Sequence, residues 1–137
     1  MKLQEKQNFL ADLHVGVLSL NETSAGPLTV PIWYDYEPGK ELWFLTGLNS
    51  RKGKILKEGI RLSLVAQSED PPYKYVSIEG PVTSIVEANK DDLLRMAVRY
   101  LGTIAGKQYT ENSENSGSIM VQVKPENWLG VDYSKSS

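Results

Sequence analysis

The sequence predicts a mainly β domain, a six-stranded antiparallel barrel with peripheral helices, and three observations predict it. Short segments rich in β-branched and aromatic residues recur between turn signals. Only one stretch, after Asn89, carries a long helical periodicity. The 137 residues, 40% of them apolar, suffice for one hydrophobic core but not two, so 1–137 is expected to be a single domain.

In chain order, residues 2–12 predict a short helix, with Leu3, Phe9 and Leu10 near one face. Residues 14–20 follow as a strand, and the small polar run 21–26 as a turn. Residues 28–36 predict a second strand, which Glu37-Pro38-Gly39-Lys40 turns into a third over 41–46. A short amphipathic stretch over 51–58 comes next, with Ser50 as N-cap and Gly59 as the terminating residue. Residues 61–67 predict a strand, 68–72 a loop and 73–86 a long strand. Gly80-Pro81 implies a bend or bulge in its middle, since proline donates nothing to a central ladder. Asn89 caps a helix running to Ala105, with Asp91 and Asp92 at its positive end. Residues 106–116 are expected to be a polar, mobile loop, 118–124 the last strand and 128–133 a tail.

Composition excludes several kinds of chemistry. Fifteen basic against seventeen acidic side chains give a net charge of −2, the wrong balance for a nucleic-acid-binding face. With no cysteine and one histidine, thiolate metal sites, a Cys nucleophile and a His cluster are ruled out, and no metal is expected. The first seven residues are too polar for a signal peptide, and no apolar run approaches membrane-spanning length. The expected address is the cytoplasm, with no nucleic-acid or membrane partner.

The segment 42–52 carries the chemistry. A strand delivers Thr46, a short turn follows, and Ser50, Arg51 and Lys52 bring a hydroxyl, a bidentate guanidinium and an ammonium together at a helix start. Lys54 and Lys57 extend the same positive field. On an acidic chain this is a local island suited to a phosphate. His14 in an apolar strand is expected to be structural, and Glu69 and Asp70 before two prolines to be a solvated loop. Tyr100 with Arg99 is available for contact with a partner subunit.

Between Gly26 and Gly80 the chain resembles the flavin-binding half of the pyridoxamine-phosphate-oxidase-like split barrels. The resemblance lies in Trp33-Tyr34-Asp35 closing one strand and Leu45-Thr46 closing the next. Ser50-Arg51-Lys52 follows four residues later, then Arg61-Leu62-Ser63-Leu64 and Tyr75-Val76-Ser77-Ile78-Glu79-Gly80. It implies that Arg51 and Lys52 grip a cofactor phosphate with help from Ser50, in the positive field that Lys57 extends. It also implies that Leu45 and Thr46 contact the ribityl chain or ring, and that Leu28-Thr29-Val30-Pro31 presents backbone groups to the flavin edge. Tyr75 would reach the cofactor of a second subunit, so a homodimer with the cofactor at its interface is part of the implication.

The departures from the oxidase itself are equally definite. Ile32 stands where the oxidase has a lysine for substrate phosphate, and no Arg-x-His follows Trp128. The helix after Asn89 carries Arg95, Arg99 and Tyr100 in place of the oxidase spacing, which excludes true pyridoxamine-phosphate oxidase activity. The segments Pro125-Glu126-Asn127-Trp128 and Asp132-Tyr133-Ser134 are similar to those of the compact flavin and deazaflavin oxidoreductases of the same superfamily. The implied function is FMN-dependent hydride transfer to or from a small planar substrate, with Trp33, Tyr73, Tyr75 or Trp128 available as walls. Single-phosphate FMN suits Ser50, Arg51 and Lys52, while the more anionic deazaflavin coenzyme would use Lys54 and Lys57. Eleven lysines against four arginines favour FMN. A non-catalytic flavin carrier and a cofactor-free interaction domain stay open beside the enzyme.

Overall fold

Alternation builds the sheet. In β1 (Gly16–Leu20), Leu18 and Leu20 are buried while Val17 and Ser19 stay half-exposed. The same two-residue period runs through β5 (Arg61–Gln67), where Leu62, Leu64 and Ala66 point inward, and β7 (Ser118–Val123), where Ile119, Val121 and Val123 do. The computed structural model describes residues 1–114 and 116–135. The other elements are α1 (Leu3–Ala11), β2 (Leu28–Ile32), β3 (Tyr34–Asp35), β4 (Leu42–Gly47), α2 (Arg51–Ile55) and β6 (Lys74–Glu87). They are completed by α3 (Lys90–Leu101), α4 (Thr103–Asn112), β8 (Asn127–Asp132) and a 3-10 turn at Tyr133–Lys135.

The strand order β2-β1-β5-β6-β7-β4-β3 is that of a barrel. Its two ends, β2 and β3, are separated in the chain by Trp33 alone, so the sheet must curl until its ends meet. The turning point opposite is β6. Its first half pairs with β5 and β8, its second half with β7, and the register shifts between Val82 and Ser84. Extra twist at such a bulge lets one long strand serve both halves of a split barrel. Leu18, Leu64, Ile78, Phe44 and Val121 fill the interior, each stabilising the fold by roughly 1.5–3 kcal/mol on burial.

Among the described residues eight strands replace the six expected. The strand expected over 28–36 is divided at Trp33 by barrel closure, a tertiary event without local punctuation. The expected tail at 128–133 is β8, an added partner for the outer half of β6. The helix expected over 89–105 ends at Leu101, because Gly102 adopts a φ of 84° that a helix cannot continue. The loop expected over 106–116 is largely α4; Asn115 lies outside the described residues. No apolar stripe marks α4. It lies close on α3 through Gly106, where a Cβ would stand 2.7 Å from the Val98 backbone. The buried Thr110 hydroxyl returns its proton to the Gly106 carbonyl. The stretch expected as helical to residue 58 stops at Ile55. Asn89 and Asp92 form the reciprocal cap of α3, as the sequence predicts.

Arg99 and Tyr100 hold their own chain together rather than standing free for another subunit. At the β2–β3 break the Tyr34 N–H donates to the Tyr100 hydroxyl (3.0 Å) and Arg99 Nε donates to the Tyr34 carbonyl (3.0 Å). Arg99 Nη2 also reaches the carbonyls of Ala11 and Asp12, and Nη1 lies 3.3 Å from Asp35. The end of α3 thereby satisfies backbone groups that the kink removes from the ladder. His14, half-buried, bonds the Phe9 carbonyl at 3.0 Å, stacks on the Phe9 ring and has its pKa lowered, chiefly by burial. Among the described residues no helix is long and apolar enough to cross a membrane.

An ion cluster on the outer face predicts an acid limb in stability. Arg61 forks onto Glu79 at 2.6 and 3.0 Å and reaches Glu126 at 2.7 Å, and Asn127 also donates to Glu79. These bonds, the Arg61 ones foremost, hold the Glu79 carboxyl down at about 2 against an ordinary 4.5. A depressed carboxyl stabilises the fold above its unfolded value and loses that contribution as pH falls through its folded one. The melting temperature should therefore decline between about pH 4.5 and pH 2, and Glu79→Gln should flatten that decline; equal slopes in thermal melts would remove Glu79 as its source.

Candidate functional site

The turn after β4 is fixed by its own polar groups. Ser50 Oγ accepts from the Gly53 N–H (3.0 Å) as the N-cap of α2 and donates its proton to the Gly47 carbonyl (2.7 Å). Thr46 Oγ1 lies 3.2 Å from Ser50 Oγ, and with the serine proton committed, threonine is the donor there. Ser50 is thus a shaper of the turn, with no proton left for a ligand. Gly53 is the unforeseen member of this unit. A Cβ on it would stand 2.1 Å from the Gly47 carbonyl oxygen, so only glycine lets α2 lie on the turn. At five residues α2 is too short for its dipole to contribute much, and the charge must come from side chains.

Those side chains diverge. Lys52 is half-buried and lines a cleft of about 450 Å³. Arg51 is 67% exposed, and its Nη2 lies 2.7 Å from Glu22 Oε1 in the β1–β2 loop. Lys54 and Lys57 are exposed and do not line the cleft.

The cleft brings together Pro31 from the edge strand β2, Leu45 and Thr46 from β4, and Lys52. Leu28, Thr29 and Val30 continue along β2 away from it; among the described residues β2 pairs only with β1, which makes its other side a sheet edge. Pro31 costs nothing there, since an edge strand tolerates a missing N–H. Tyr75 is remote within the chain. It lies opposite Gln67 and Val131 on β6, its ring 6.5 Å from that of Tyr133.

Of the four aromatic residues expected as walls, only Trp33 lines this cleft. It stacks on Tyr100 (centroids 4.9 Å apart, planes 4° apart) and meets Tyr109 at 5.7 Å. Trp128 instead packs against the core beside Tyr36, and Tyr73 is exposed in its loop. Leu93 and Met96 of α3, Val15 and Tyr109 complete the apolar wall. The sequence pointed to none of these four, though the i, i+3 spacing of Leu93 and Met96 was a usable sign of a shared helix face. Lys52 is the one charged side chain among the described lining residues. The result is a mostly apolar cleft whose lining includes an indole ring, a threonine and a cation. Such a shape suits a planar ring with an anionic tail.

Comparison with known proteins agrees with the barrel. A family model described as pyridoxamine 5'-phosphate oxidase matches residues 3–132. Among solved structures, the chain is similar to an F420 reductase, with a TM-score of 0.77 and 19% identity over 90% of this chain and 94% of that one. A conserved hypothetical protein from Mycobacterium tuberculosis gives a TM-score of 0.75 and 24% identity over 97% of this chain and 86% of that one. The FAD binding protein from Mycobacterium smegmatis gives 0.64 and 15% identity over 96% of each chain. At such identities the likeness concerns the fold. A comparison with curated proteins found no match.

Proposed function

We propose, because the chain belongs to the pyridoxamine 5'-phosphate oxidase family, that it is a homodimeric FMN-dependent oxidoreductase acting on a small planar substrate. One observation carries this: a mostly apolar cleft lined by Trp33 and by Leu45 of β4 also takes in Thr46 and Lys52, with Arg51 next to Lys52 in the chain. Lys52 would hold the phosphate as a point charge and Arg51 as a fork, with Ser50 fixing the turn that carries both. Lys57, exposed beyond α2, would add to the field at longer range. Leu45 and Thr46 would lie along the ribityl chain, and the free edge of Leu28–Pro31 would face the ring. When bound, the flavin supplies the hydride chemistry; the protein supplies position, a dry wall and charge.

Two further features bear on substrate and assembly. Ile32 lines the cleft in place of a substrate-phosphate lysine, leaving the cleft one cation, so the substrate should carry no phosphate of its own. Tyr75 is half-exposed on a strand whose β8 neighbour shows an exposed Leu129, which favours its reaching a second copy rather than its own cleft. A deazaflavin coenzyme is the second choice, supported by the exposed Lys54 and Lys57 and by the likeness to an F420 reductase.

Anaerobic titration with FMN and with deazaflavin coenzyme, followed by NAD(P)H, tests the proposal. Stoichiometric FMN binding and bleaching of the flavin band by NAD(P)H are expected. Tighter binding of deazaflavin would reverse the cofactor choice. Binding of FMN without reduction by any donor would point to a carrier, and binding of neither cofactor would overturn the flavin assignment.

A further inference from the structure

We infer that Glu22 sets the affinity of the cofactor site by competing with the phosphate for Arg51, and this rests on Arg51 holding that phosphate as proposed. Glu22 lies in the loop between β1 and β2, far from Arg51 in sequence, yet its Oε1 stands 2.7 Å from Arg51 Nη2. Its side chain is only 16% exposed, whereas Arg51 is 67% exposed. The carboxylate is therefore the more buried partner, and the exposed arginine lies against it.

The contact is one of charge without direction. Glu22 Oε1 is buried but accepts no hydrogen bond among the described residues. A buried carboxylate oxygen without hydrogen bonds is poorly compensated, and Arg51 is the cation that offsets it. A phosphate offers three oxygens to the same guanidinium and can take the bidentate geometry that Glu22 does not reach. Binding is thus an exchange of anions on Arg51. Phosphate gains the fork, while Glu22 loses its counter-charge. Lys52, which lines the cleft, has no ion-pair partner among the described residues. One cation of the pair is therefore discounted in advance. The arrangement lowers affinity for the phosphate without changing the slot that holds the ring.

The test is FMN binding to four proteins: the parent chain, Glu22→Gln, Arg51→Ala and the double variant. Glu22→Gln keeps the shape and removes the charge, and should tighten FMN by about three- to tenfold, a modest figure because Arg51 is largely exposed. Arg51→Ala should weaken FMN, and adding Glu22→Gln to it should change affinity by less than about twofold, since the competition runs through the arginine. Weaker FMN binding by Glu22→Gln would show that Glu22 orients Arg51 for the phosphate and would overturn the inference. Undiminished tightening in the Arg51→Ala background would overturn it too, because Glu22 would then be acting on the phosphate directly. If Arg51→Ala binds FMN like the parent, the phosphate assignment itself fails, a result distinct from the other two. Riboflavin serves as an internal check on folding: lacking the phosphate, it should bind all four proteins alike.

Discussion

Replacing Arg51 and Lys52 together by alanine should raise the FMN dissociation constant by about 100-fold or more and leave the purified protein colourless. Each charge-assisted hydrogen bond to a phosphate is worth roughly 1.5–3 kcal/mol, so two of them would give about 3–6 kcal/mol. Solvent around Arg51 and its prior engagement with Glu22 argue for the lower end. About 3 kcal/mol corresponds to roughly two decades in affinity. The fold should be little affected. Neither side chain belongs to the core, and the turn beneath them is held by Ser50, Thr46 and Gly53, all retained in the variant. Equilibrium titration followed by flavin fluorescence measures the change, with a thermal melt as the control. Of the two, Lys52 should matter more, because it lines the cleft and has no counter-ion among the described residues.

Gly80→Ala should be the most damaging single substitution in the barrel. Gly80 pairs with Leu62 in the middle of β6, and the segment after β7 crosses directly over it. There the Lys124 N–H donates to the Pro81 carbonyl and the Glu126 N–H to the Glu79 carbonyl. A Cβ on Gly80 would stand 1.8 Å from the Lys124 carbonyl oxygen, a backbone atom that cannot rotate away. The crossing must open or β6 must shift register, at a cost of about 3 kcal/mol or more, in the range that marks strained core substitutions. For a chain of this length that lowers the melting temperature by roughly 10 °C. Gly26→Ala is the matched control: nothing lies within 4 Å of its added carbon, and its melt should be unchanged.

Gly80 also marks how far sequence carries. Gly80-Pro81 within an otherwise regular strand signals a local irregularity, and one exists. The register shift, however, falls between Val82 and Ser84, and the glycine is needed for a chain crossing contributed by residues more than forty positions later. Locally encoded features were legible in this chain. The alternation in β1, β5 and β7 places Leu18, Leu64 and Val121 inside, Asn89 and Asp92 cap α3, and Ser50 caps α2. Features set by closure were not. Trp33 breaks a strand because the barrel's ends meet there, and β8 exists because β6 has a free flank. In α4, Gly106 and Thr110 hold the packing where an apolar stripe would have announced a helix.

The site divides the same way. Ser50-Arg51-Lys52 is a compact pattern whose position after a strand was visible, and Pro31, Leu45, Thr46 and Lys52 do share one cleft. What each side chain does in that pattern depended on contacts from elsewhere. Ser50 gives its proton to Gly47, Arg51 turns toward Glu22, and the apolar wall comes from Val15, Leu93, Met96 and Tyr109 on three other parts of the chain. A carboxylate that reaches a helix residue from a distant loop leaves no spacing to read.

Comparing FMN with riboflavin shows whether the cations after β4 hold the phosphate of a flavin. The two share ring and ribityl chain and differ only in the phosphate. The parent protein should bind FMN about 100-fold more tightly than riboflavin, and Arg51→Ala/Lys52→Ala should bind both with the affinity that the parent shows for riboflavin. Equal affinities in the parent protein, or an FMN preference that survives in the double variant, would contradict the account.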